Sequence, residues 1–432
     1  MSLTSPRINL ASDPMLPQRD ILLDASMVAR LLGPQLGTSG PLVIDSCELL
    51  RTKYRFGDSL RVLHRIRVGC ADFNVAARAF PEGRSERAYE RALNEAVVCC
   101  APLRAVVHSA EIGTVFWTFP NDRRLNGLRA LENIPADLAQ LFVPAWSNSR
   151  LVAYAPEKCA TAQCLDEDSN VLAYVKVYEG DEGERIFGIY NALRRSLSSG
   201  SAAFELPRAL AYSEKHRMLL LEKVEGVRLI DLHGPDGPGG YKRLGSALAA
   251  LHCLPVPTGL RVFKRLEVKR IGRAAQIIGE ARPDVKREAL ALASELAEGA
   301  ESQTIAPVCL HGDVHPKNII LRGDSLTLID LDQAAAGSPA ADLGSLLASL
   351  SYNRLSGLLS RTRALELGDA FLVGYAAVRE LPTAVRLSWH TAAALLAERA
   401  LRAVNRIRPE GLARLPQLLA EATRILQTGG VR

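Results

Sequence analysis

The sequence lacks the long apolar stretches that mark membrane and secreted proteins. In its 432 residues, no apolar run reaches the ~18 residues that a membrane-spanning helix needs. The N-terminal region contains prolines, serines and charged residues, without the apolar core of a secretory signal peptide. We therefore predict a cytoplasmic protein that makes no contact with a membrane.

Cysteines are present, but they lack the spacing of a metal site. None of the eight forms a Cys-x-x-Cys pair, and no histidine cluster accompanies them. A structural zinc site is therefore not expected, and neither is a disulfide framework in a chain of this length. We predict that the cysteines are small buried hydrophobic residues in a reducing compartment.

Long basic runs and abundant aromatic residues are also missing. The formal net charge is +6 and aromatic residues make up 5% of the chain, without a basic patch in which aromatic residues alternate. These features disfavour a nucleic-acid partner. Apolar residues make up 48% and charged residues 23%, as in ordinary soluble globular proteins. The length predicts two or three domains.

The clearest signal in the chain lies in the segment 310–332. Two apolar runs, Ile319–Leu321 and Leu326–Ile329, flank a polar stretch that contains Gly and Asp, which is typical of a β-hairpin. Pairing of these runs across the turn would bring Asn318 opposite the end of the second run. Asn318 and Asp330 would then lie side by side at the open end of the hairpin.

Asp313 lies one short loop upstream of this hairpin. Three oxygen-bearing side chains at one point suit a hard divalent cation, which prefers oxygen ligands. Phosphoryl transfer needs a metal that neutralises the phosphates and a carboxylate that accepts the proton of the attacking hydroxyl. The order of Asp313, Asn318 and Asp330 is also that of the base and the two Mg²⁺ ligands in protein-kinase catalytic loops.

This set of residues is similar to a known enzyme family. The segments His311–Asn318 and Ile329–Asp332, followed by Gly337–Leu343, resemble the aminoglycoside phosphotransferase family, which includes the choline-kinase-like small-molecule kinases. The resemblance implies an α+β, protein-kinase-like two-lobed fold with a small β-rich lobe and a large helical lobe. It also implies an enzyme that uses ATP to phosphorylate a hydroxyl group of a small molecule, such as a sugar or an amino alcohol.

The resemblance implies a role for each residue of the set. Asp313 would be the catalytic base, and Asn318 and Asp330 would hold Mg²⁺. Asp332 ranks below Asp330 as a metal ligand. We expect His311 to brace the loop by hydrogen bonding.

The resemblance also predicts a nucleotide site upstream of the catalytic loop. Lys176, in the strand-like run Val171–Tyr178, is expected to contact the α- and β-phosphates. Backbone groups near Glu222 and Val224 are expected to contact adenine. Glu182, near the apolar face of the helix that follows the strand, is the predicted carboxylate partner of Lys176.

The glycine-rich phosphate loop of kinases is missing. The turn 155–158, between the first two strands of the nucleotide-binding unit, contains no glycine, although glycines let backbone N–H groups approach phosphates. We predict that this turn binds the nucleotide through Lys158, or is mobile until substrate binds.

Part of the chain is repeated. The segment 104–125 resembles the segment 208–229 at a constant offset of 104, without a gap. An apolar run and then a helical segment with Glu-Arg precede both. We interpret this as an internal duplication of a strand–strand–strand–helix–strand–strand unit. Chance similarity between two α+β segments is the alternative.

The repeat divides the chain into four predicted parts. They are a loosely structured N-terminus (1–37), a degenerate copy of the small lobe (38–146), the nucleotide-binding small lobe (147–226), and a helical catalytic and substrate-binding lobe (227–432). In the first copy Arg78 replaces Lys176, and Pro120, which has no N–H to donate, replaces Val224. We therefore predict that the first copy does not bind nucleotide in this way, and that it caps, stabilises or helps to form the substrate cleft.

Four arginines mark the predicted acceptor side. Arg399, Arg402, Arg406 and Arg408 lie in the last helical region, where the resemblance places the substrate. An arginine-rich wall favours a neutral or anionic alcohol over a polycationic aminoglycoside. Two alternatives stay open. One is an aminoglycoside-inactivating phosphotransferase, which would need an acidic pocket, and the other is a non-catalytic regulatory protein on a duplicated kinase scaffold.

Overall fold

The computed structural model describes residues 9–81, 83–95, 98–197, 203–232, 234, 236–300 and 306–430. Two five-stranded antiparallel sheets, two three-stranded sheets and a large helical region make up the fold. The predicted α+β architecture, with a small β-rich lobe and a large helical lobe, is confirmed. No helix in the described part of the chain has the length and apolar composition that a membrane span requires.

The strands of the described residues fall into the two large sheets and the two small ones. They are β1 (Ser46–Arg55), β2 (Ser59–Val68), β3 (Ala71–Ala79), β4 (Val106–Ser109), β5 (Thr114–Thr118), β6 (Asn148–Ala155), β7 (Cys159–Leu165), β8 (Val171–Tyr178), β9 (Ala209–Ser213), β10 (Met218–Glu222), β11 (Val227–Arg228), β12 (Arg261–Val262), β13 (Val308–Leu310), β14 (Ile319–Arg322), β15 (Ser325–Leu328) and β16 (Ala335–Gly337). The small sheets have the orders β11-β14-β15 and β12-β16-β13.

Most of the helices follow the second large sheet. The α-helices are α1 (Arg19–Leu23), α2 (Ala25–Leu32), α3 (Ser85–Asn94), α4 (Arg129–Glu132), α5 (Ala136–Ala139), α6 (Glu182–Leu197), α7 (Asp236–Cys253), α8 (Val268–Ala281), α9 (Lys286–Glu298), α10 (Pro339–Leu355), α11 (Arg361–Ala376), α12 (Ala384–Ala394), α13 (Leu401–Arg406), α14 (Pro409–Ala413) and α15 (Leu415–Thr428). A π-helical segment, Leu395–Ala400, joins α12 to α13. Short 3-10 helices span Asn126–Leu128, Leu229–Asp231, Pro283–Val285, Pro316–Asn318 and Leu331–Gln333.

The two large sheets share one topology. The first has the order β1-β2-β3-β5-β4 and the second has the order β6-β7-β8-β10-β9. In the sequence, α3 lies between the third and fourth strands of the first sheet, β3 and β4. In the same way, α6 lies between the third and fourth strands of the second sheet, β8 and β9. The strand registers also agree, because Arg78 pairs with Val115 in the first sheet and Lys176 pairs with Leu219 in the second.

The N-terminal segment differs from the expectation. The apolar run 25–32 also predicts a short helix within this segment, and α2 confirms it. The described residues around that helix are packed and not loosely structured, and residues 1–8 lie outside the described part of the chain. This segment forms α1 and α2, and Leu16, Leu22 and Leu36 have no exposed surface. They belong to one hydrophobic cluster with the first sheet. Apolar side chains that cover a sheet face in this way hold the segment in place.

The first large sheet lies between the small lobe and the helical lobe. It shares a hydrophobic core with α8, α9 and α15, and β1 packs against α13. Leu63 and Ala76 of this sheet join a second core that contains Ala162, Val175 and Leu220 of the second sheet. The N-terminal domain therefore packs against both kinase-like lobes.

A buried cluster of charges also joins the first sheet to the small lobe. Glu157, in the turn between β6 and β7, has a side chain that is 4% exposed, and it binds Arg61 (3.3 Å), Arg78 (2.6 Å) and Arg123 (2.7 Å). Burial alone would raise the pKa of Glu157, but the three arginines lower it. The φ angle of Glu157 is +60°, a left-handed conformation that costs a non-glycine residue roughly 1–2 kcal/mol.

We expect Glu157→Gln to lower the free energy of unfolding by about 3–5 kcal/mol, because the substitution leaves three partly buried arginines without their carboxylate. Urea denaturation measures this change. The matched control is Glu179→Gln, because Glu179 forms an exposed ion pair with Arg124. The side chain of Glu179 is 42% exposed and that of Arg124 is 46% exposed. The control should change stability by less than about 1 kcal/mol. Equal effects of the two substitutions would contradict the role given to Glu157.

Candidate active site

The catalytic hairpin forms in the predicted register. β14 and β15 pair with Leu321 opposite Leu326, and the N–H of Ile329 donates to the carbonyl of Asn318 at 2.9 Å. Asp330 follows directly. The sequence prediction that Asn318 and Asp330 share the open end of this hairpin is confirmed.

A single buried carboxylate anchors the loop that precedes the hairpin. Asp342, on the first turn of α10, accepts the N–H of His311 at 2.7 Å and that of Gly312 at 2.9 Å. The ring of His311 donates through Nε2 to the carbonyl of Ile329 at 3.0 Å. Gly312 has φ +77°, and a Cβ there would lie 1.9 Å from the carbonyl oxygen of Gln333. The bracing by His311 and the anchoring by Asp342 fix the direction in which the loop enters the hairpin.

This loop presents Asp313 as a charged carboxylate. Burial alone would raise the pKa of Asp313, but Arg402, Lys317 and other nearby cations lower it below its ordinary value. Arg402 Nη2 lies 4.0 Å from Asp313 Oδ1. The side-chain amide of Asn318 donates to the backbone carbonyl of Asp313 at 3.0 Å, which leaves the amide oxygen of Asn318 available to a metal. An ionised Asp313 is able to accept a proton.

Lys176 joins the small lobe to the segment after the hairpin. Its Nζ lies 2.5 Å from Asp330 Oδ1 and 2.7 Å from Asp332 Oδ1, and the hydroxyl of Tyr178 donates to the same Asp332 oxygen at 2.9 Å. Burial alone would lower the pKa of Lys176, but Asp332, Tyr178 and Asp330 raise it well above its ordinary value. Lys176 is therefore protonated, and its side chain is only 13% exposed.

The residues around Lys176 fit a hard divalent cation. One ammonium faces two carboxylates, so a negative charge is left over. Burial and the neighbouring Asp330 raise the pKa of Asp332, although Lys176 opposes this. Asn318 adds an amide oxygen, and oxygen donors of this kind suit Mg²⁺, which takes its remaining ligands from phosphates and water. No group of three or more His, Cys, Asp or Glu side chains within the described ranges is arranged as a metal site.

The structure does not show the predicted pairing of Glu182 with Lys176. Glu182 is the first residue of α6, and its carboxylate binds Arg185 at 2.5 Å and Arg261 at 2.7 Å. The inner face of α6 begins one turn later and presents Tyr190, whose hydroxyl accepts the N–H of Leu331 at 3.3 Å. Glu182 is therefore not a partner of Lys176, although its own partner Arg185 donates to the backbone carbonyl of Asp332 at 3.3 Å. Asp330 and Asp332 take the place of a helix carboxylate.

The turn without glycine is anchored by its ion pairs. Glu157 adopts the left-handed conformation that a glycine would favour, and its three arginine partners oppose movement of the turn. These ion pairs disfavour a turn that is mobile until substrate binds, and that alternative stays a prediction. The next residue, Lys158, is exposed.

The hinge residues lie at the end of β10. The N–H of Glu222 donates to the carbonyl of Arg208 at 2.9 Å, and its carboxylate also binds Arg208. Among the described residues, the N–H of Val224 has no hydrogen-bond acceptor. This N–H is therefore available to a ligand.

Two aromatic residues of β8 were not part of the predicted site. Tyr174 lies two residues before Lys176 and Tyr178 lies two residues after it. Because side chains alternate between the faces of a strand, all three lie on one face of β8. Tyr178 binds Asp332, and Tyr174 pairs with Leu221 at the end of β10, next to the hinge. The alternation of side chains along the strand, with a period of two residues, is the sequence signal that would have predicted both tyrosines.

A cavity of about 570 Å³ lies beside the catalytic loop. His315 and Pro316 of that loop form part of its wall. The charged residues of the wall are Arg363, Arg399, Arg402 and Arg408. No aspartate or glutamate lines the cavity in the described part of the chain.

The region that carries this site matches a known family. Residues 173–381 match the model of the phosphotransferase enzyme family. We refer to residues 173–381 as the phosphotransferase domain, after the family whose model they match. This match confirms the predicted resemblance. For the family as a whole, it also confirms the prediction of a phosphotransferase with an alcohol group as acceptor.

Solved structures share the fold of the phosphotransferase domain. A thermostable mutant of the aminoglycoside phosphotransferase APH(4)-Ia in its apo form matches at a TM-score of 0.50 and 14% identity, over 68% of this chain and 99% of that chain. A choline/ethanolamine kinase family protein from Mesorhizobium loti matches at a TM-score of 0.46 and 17% identity, over 70% of this chain and 97% of that chain. No curated protein sequence matches the chain. The likeness to APH(4)-Ia supports the protein-kinase-like fold.

We expect Asp342→Asn to destabilise the phosphotransferase domain by about 1–3 kcal/mol, because one buried N–H of the loop would face an amide N–H₂ group instead of an acceptor. Thermal denaturation measures this change. Asp324→Asn, in the exposed turn between β14 and β15, is the control and should leave the melting temperature nearly unchanged. A melting temperature of Asp342→Asn that matches the control would rule out the anchoring role.

Proposed function

We propose that the chain transfers a phosphoryl group from ATP to a hydroxyl group of a small molecule. The observation that carries this proposal is the Asp313 carboxylate, which nearby cations keep ionised on a loop anchored by Asp342. A general base in phosphoryl transfer needs this charge state. The Lys176 cluster provides the cation that such a site needs for the phosphates of the nucleotide.

The nucleotide would lie between the small lobe and the catalytic hairpin. Lys176 would hold the α- and β-phosphates, and backbone groups of Glu222 and Val224 would contact adenine. The available N–H of Val224 supports this placement. Tyr174, on the Lys176 face of β8, offers an aromatic surface for adenine. The exposed Lys158 would contact the phosphates from the turn.

The reaction follows from the positions of the remaining groups. Asn318 and Asp330 would hold Mg²⁺, with Asp332 beside them, and the bound metal would neutralise charge on the phosphates. Asp313 would accept the proton of the acceptor hydroxyl as its oxygen bonds to the γ-phosphorus. The bond from that phosphorus to the oxygen of the leaving ADP breaks, and Lys176 would hold the phosphates of the ADP.

We infer that the first large sheet is a degenerate copy of the small lobe. Besides the shared topology, a local motif supports this inference. Asp13, buried in the segment that precedes the first sheet, accepts the hydroxyl of Tyr54 at 2.7 Å and the N–H of Gly57 at 2.9 Å. Tyr54 stands at the end of β1, and Gly57 has φ +68°.

The small lobe contains the same motif. The buried Asp122 accepts the hydroxyl of Tyr154 at 2.5 Å and the N–H of Glu157 at 2.9 Å. Tyr154 stands near the end of β6, three residues before Glu157, which is the spacing from Tyr54 to Gly57. Two unrelated sheets have no physical need of this motif at the same turn, so its recurrence favours duplication over chance.

These inferences define the proposed domains. The degenerate copy spans 38–146, and the segment 9–37 before it packs against its sheet and supplies Asp13. The nucleotide-binding small lobe spans 147–226, and the catalytic and substrate-binding lobe spans 227–432. All eight cysteines are free thiols, which supports a reducing compartment such as the cytoplasm.

The site bears on the two other candidate functions. The cavity beside the catalytic loop has four arginines and, among the described residues, no carboxylate, so its charge disfavours a polycationic aminoglycoside. A protein that only binds nucleotide does not need an ionised base, so the state of Asp313 disfavours a non-catalytic regulatory protein.

We expect Asp313→Asn to lower kcat by about 10²-fold or more, because an amide cannot accept the proton of the acceptor hydroxyl. The assay is ATP turnover with Mg²⁺ across sugars, amino alcohols, hydroxy acids, sugar phosphates and aminoglycosides. ATP affinity, measured by calorimetry, should change little. Turnover that persists in Asp313→Asn would remove this residue as the base, and nucleotide binding by wild type without turnover on any acceptor would favour the regulatory scaffold.

A further inference from the structure

The cavity beside the catalytic loop has an unusual charge balance. Arg363 has a counter-ion, since it pairs with Glu366 at 2.7 Å. Arg402 has only Asp313, whose oxygen is 4.0 Å away and is assigned to proton transfer. Arg408 forms no ion pair within the described residues. The wall therefore carries positive charge that the described residues do not neutralise.

The titration of neighbouring groups reflects this positive charge. Burial and the cations Arg399 and Lys317 lower the pKa of His315 to about 4, so its ring is neutral near pH 7. Burial and the neighbouring Arg402 lower the pKa of Arg399 to about 10, although Glu398 opposes this. Both groups respond to a surplus of cations around the cavity.

The N-terminal sheet adds to the same cluster of cations. Strand β1, which packs against α13, carries Arg51 and Lys53. The pKa of Lys53 is lowered to about 8, mainly by burial. Four nearby cations add to this effect: Arg406, Arg55, Arg61 and Lys158. Burial and the charges of Arg51, Arg402 and Arg408 lower the pKa of Arg406 to about 10. Cations of β1 and of α13 therefore lie near one another, where these two elements pack together.

The pairing of the other arginines shows that this surplus is local. Arg61, Arg78 and Arg123 share the carboxylate of Glu157 a short distance away. Within the described residues, Arg51 and Lys53 form no ion pair with an acid. Like charges held together without a counter-ion repel each other, so the arrangement destabilises the free protein and favours a bound anion.

We propose that the acceptor is an anionic alcohol, whose phosphate or carboxylate group is bound by Arg402 and Arg408 of the helical lobe. This inference rests on the proposed function, since it names the class of the acceptor. Arginine binds either group through paired N–H donors, so the wall alone recognises the shared anionic chemistry.

The phosphates of the nucleotide are the competing occupant of this cluster. They are assigned to Lys176, to the metal held by Asn318 and Asp330, and to Lys158. An experiment on the acceptor site must therefore keep the nucleotide site filled. Saturating MgADP meets this need and leaves the γ-phosphate and acceptor positions open.

The test is calorimetric titration of the full chain, saturated with MgADP, with inorganic phosphate as the probe. Wild type should bind phosphate saturably. Arg402→Gln and Arg408→Gln should each weaken phosphate affinity by about tenfold, since each removes one charged hydrogen-bond donor. Arg287→Gln is the control, because Arg287 lies on α9 outside the cavity with a side chain that is 92% exposed. The control should bind as wild type does.

Three outcomes would overturn the proposal. They are no saturable phosphate binding by wild type, equal affinity in all four proteins, and binding that occurs only when MgADP is absent, which would assign the cluster to the nucleotide. Two separate substitutions, each checked by its melting temperature, guard against a misfolded variant. ATP turnover that depends on Asp313 is measured separately, so failure of the proposed function is distinguishable from failure of this inference.

Discussion

The site depends on the contact between the ammonium group of Lys176 and the carboxylates of Asp330 and Asp332. This contact joins β8 of the small lobe to the segment that follows the catalytic hairpin, so it sets the distance between the two lobes. Its charges do not balance, because two carboxylates share one ammonium in a largely buried position. A buried surplus of negative charge is unfavourable in isolation and favours a cation. The same contact therefore holds the lobes together and would favour the metal proposed for this site.

The opposite side of the cleft carries the opposite charge. Arg402 and Arg408 line a cavity that has no carboxylate among its described residues. Hydrophobic cores on both sides and Glu157 hold the N-terminal sheet between the two lobes. This sheet, in which Arg78 pairs as Lys176 does in the second sheet, would thus contribute to the fold through packing onto both lobes.

Local patterns predicted much of the site correctly. The hairpin register of Asn318 and Ile329 followed from two apolar runs around a polar turn, because pairing across a short turn has few alternatives. The pairing of Glu182 could not be predicted in this way. Its partners Arg185 and Arg261 are set by where α6 begins and by a strand far away in sequence. The burial of Leu16 also depends on a distant sheet.

The sequence by itself determined the order of chemical groups, from Lys176 through Asp313 to Asp330, and the repeat of one sheet-forming unit. These depend on spacing and on the period of strands, which are local properties. Only the tertiary structure decided which charges are paired. Glu157 binds three arginines that come from three different segments, whereas Lys53 has cations and no carboxylate as its charged neighbours. The physical reason is that electrostatic energy depends on distance in space and on burial, and neither is written in the spacing of residues along the chain.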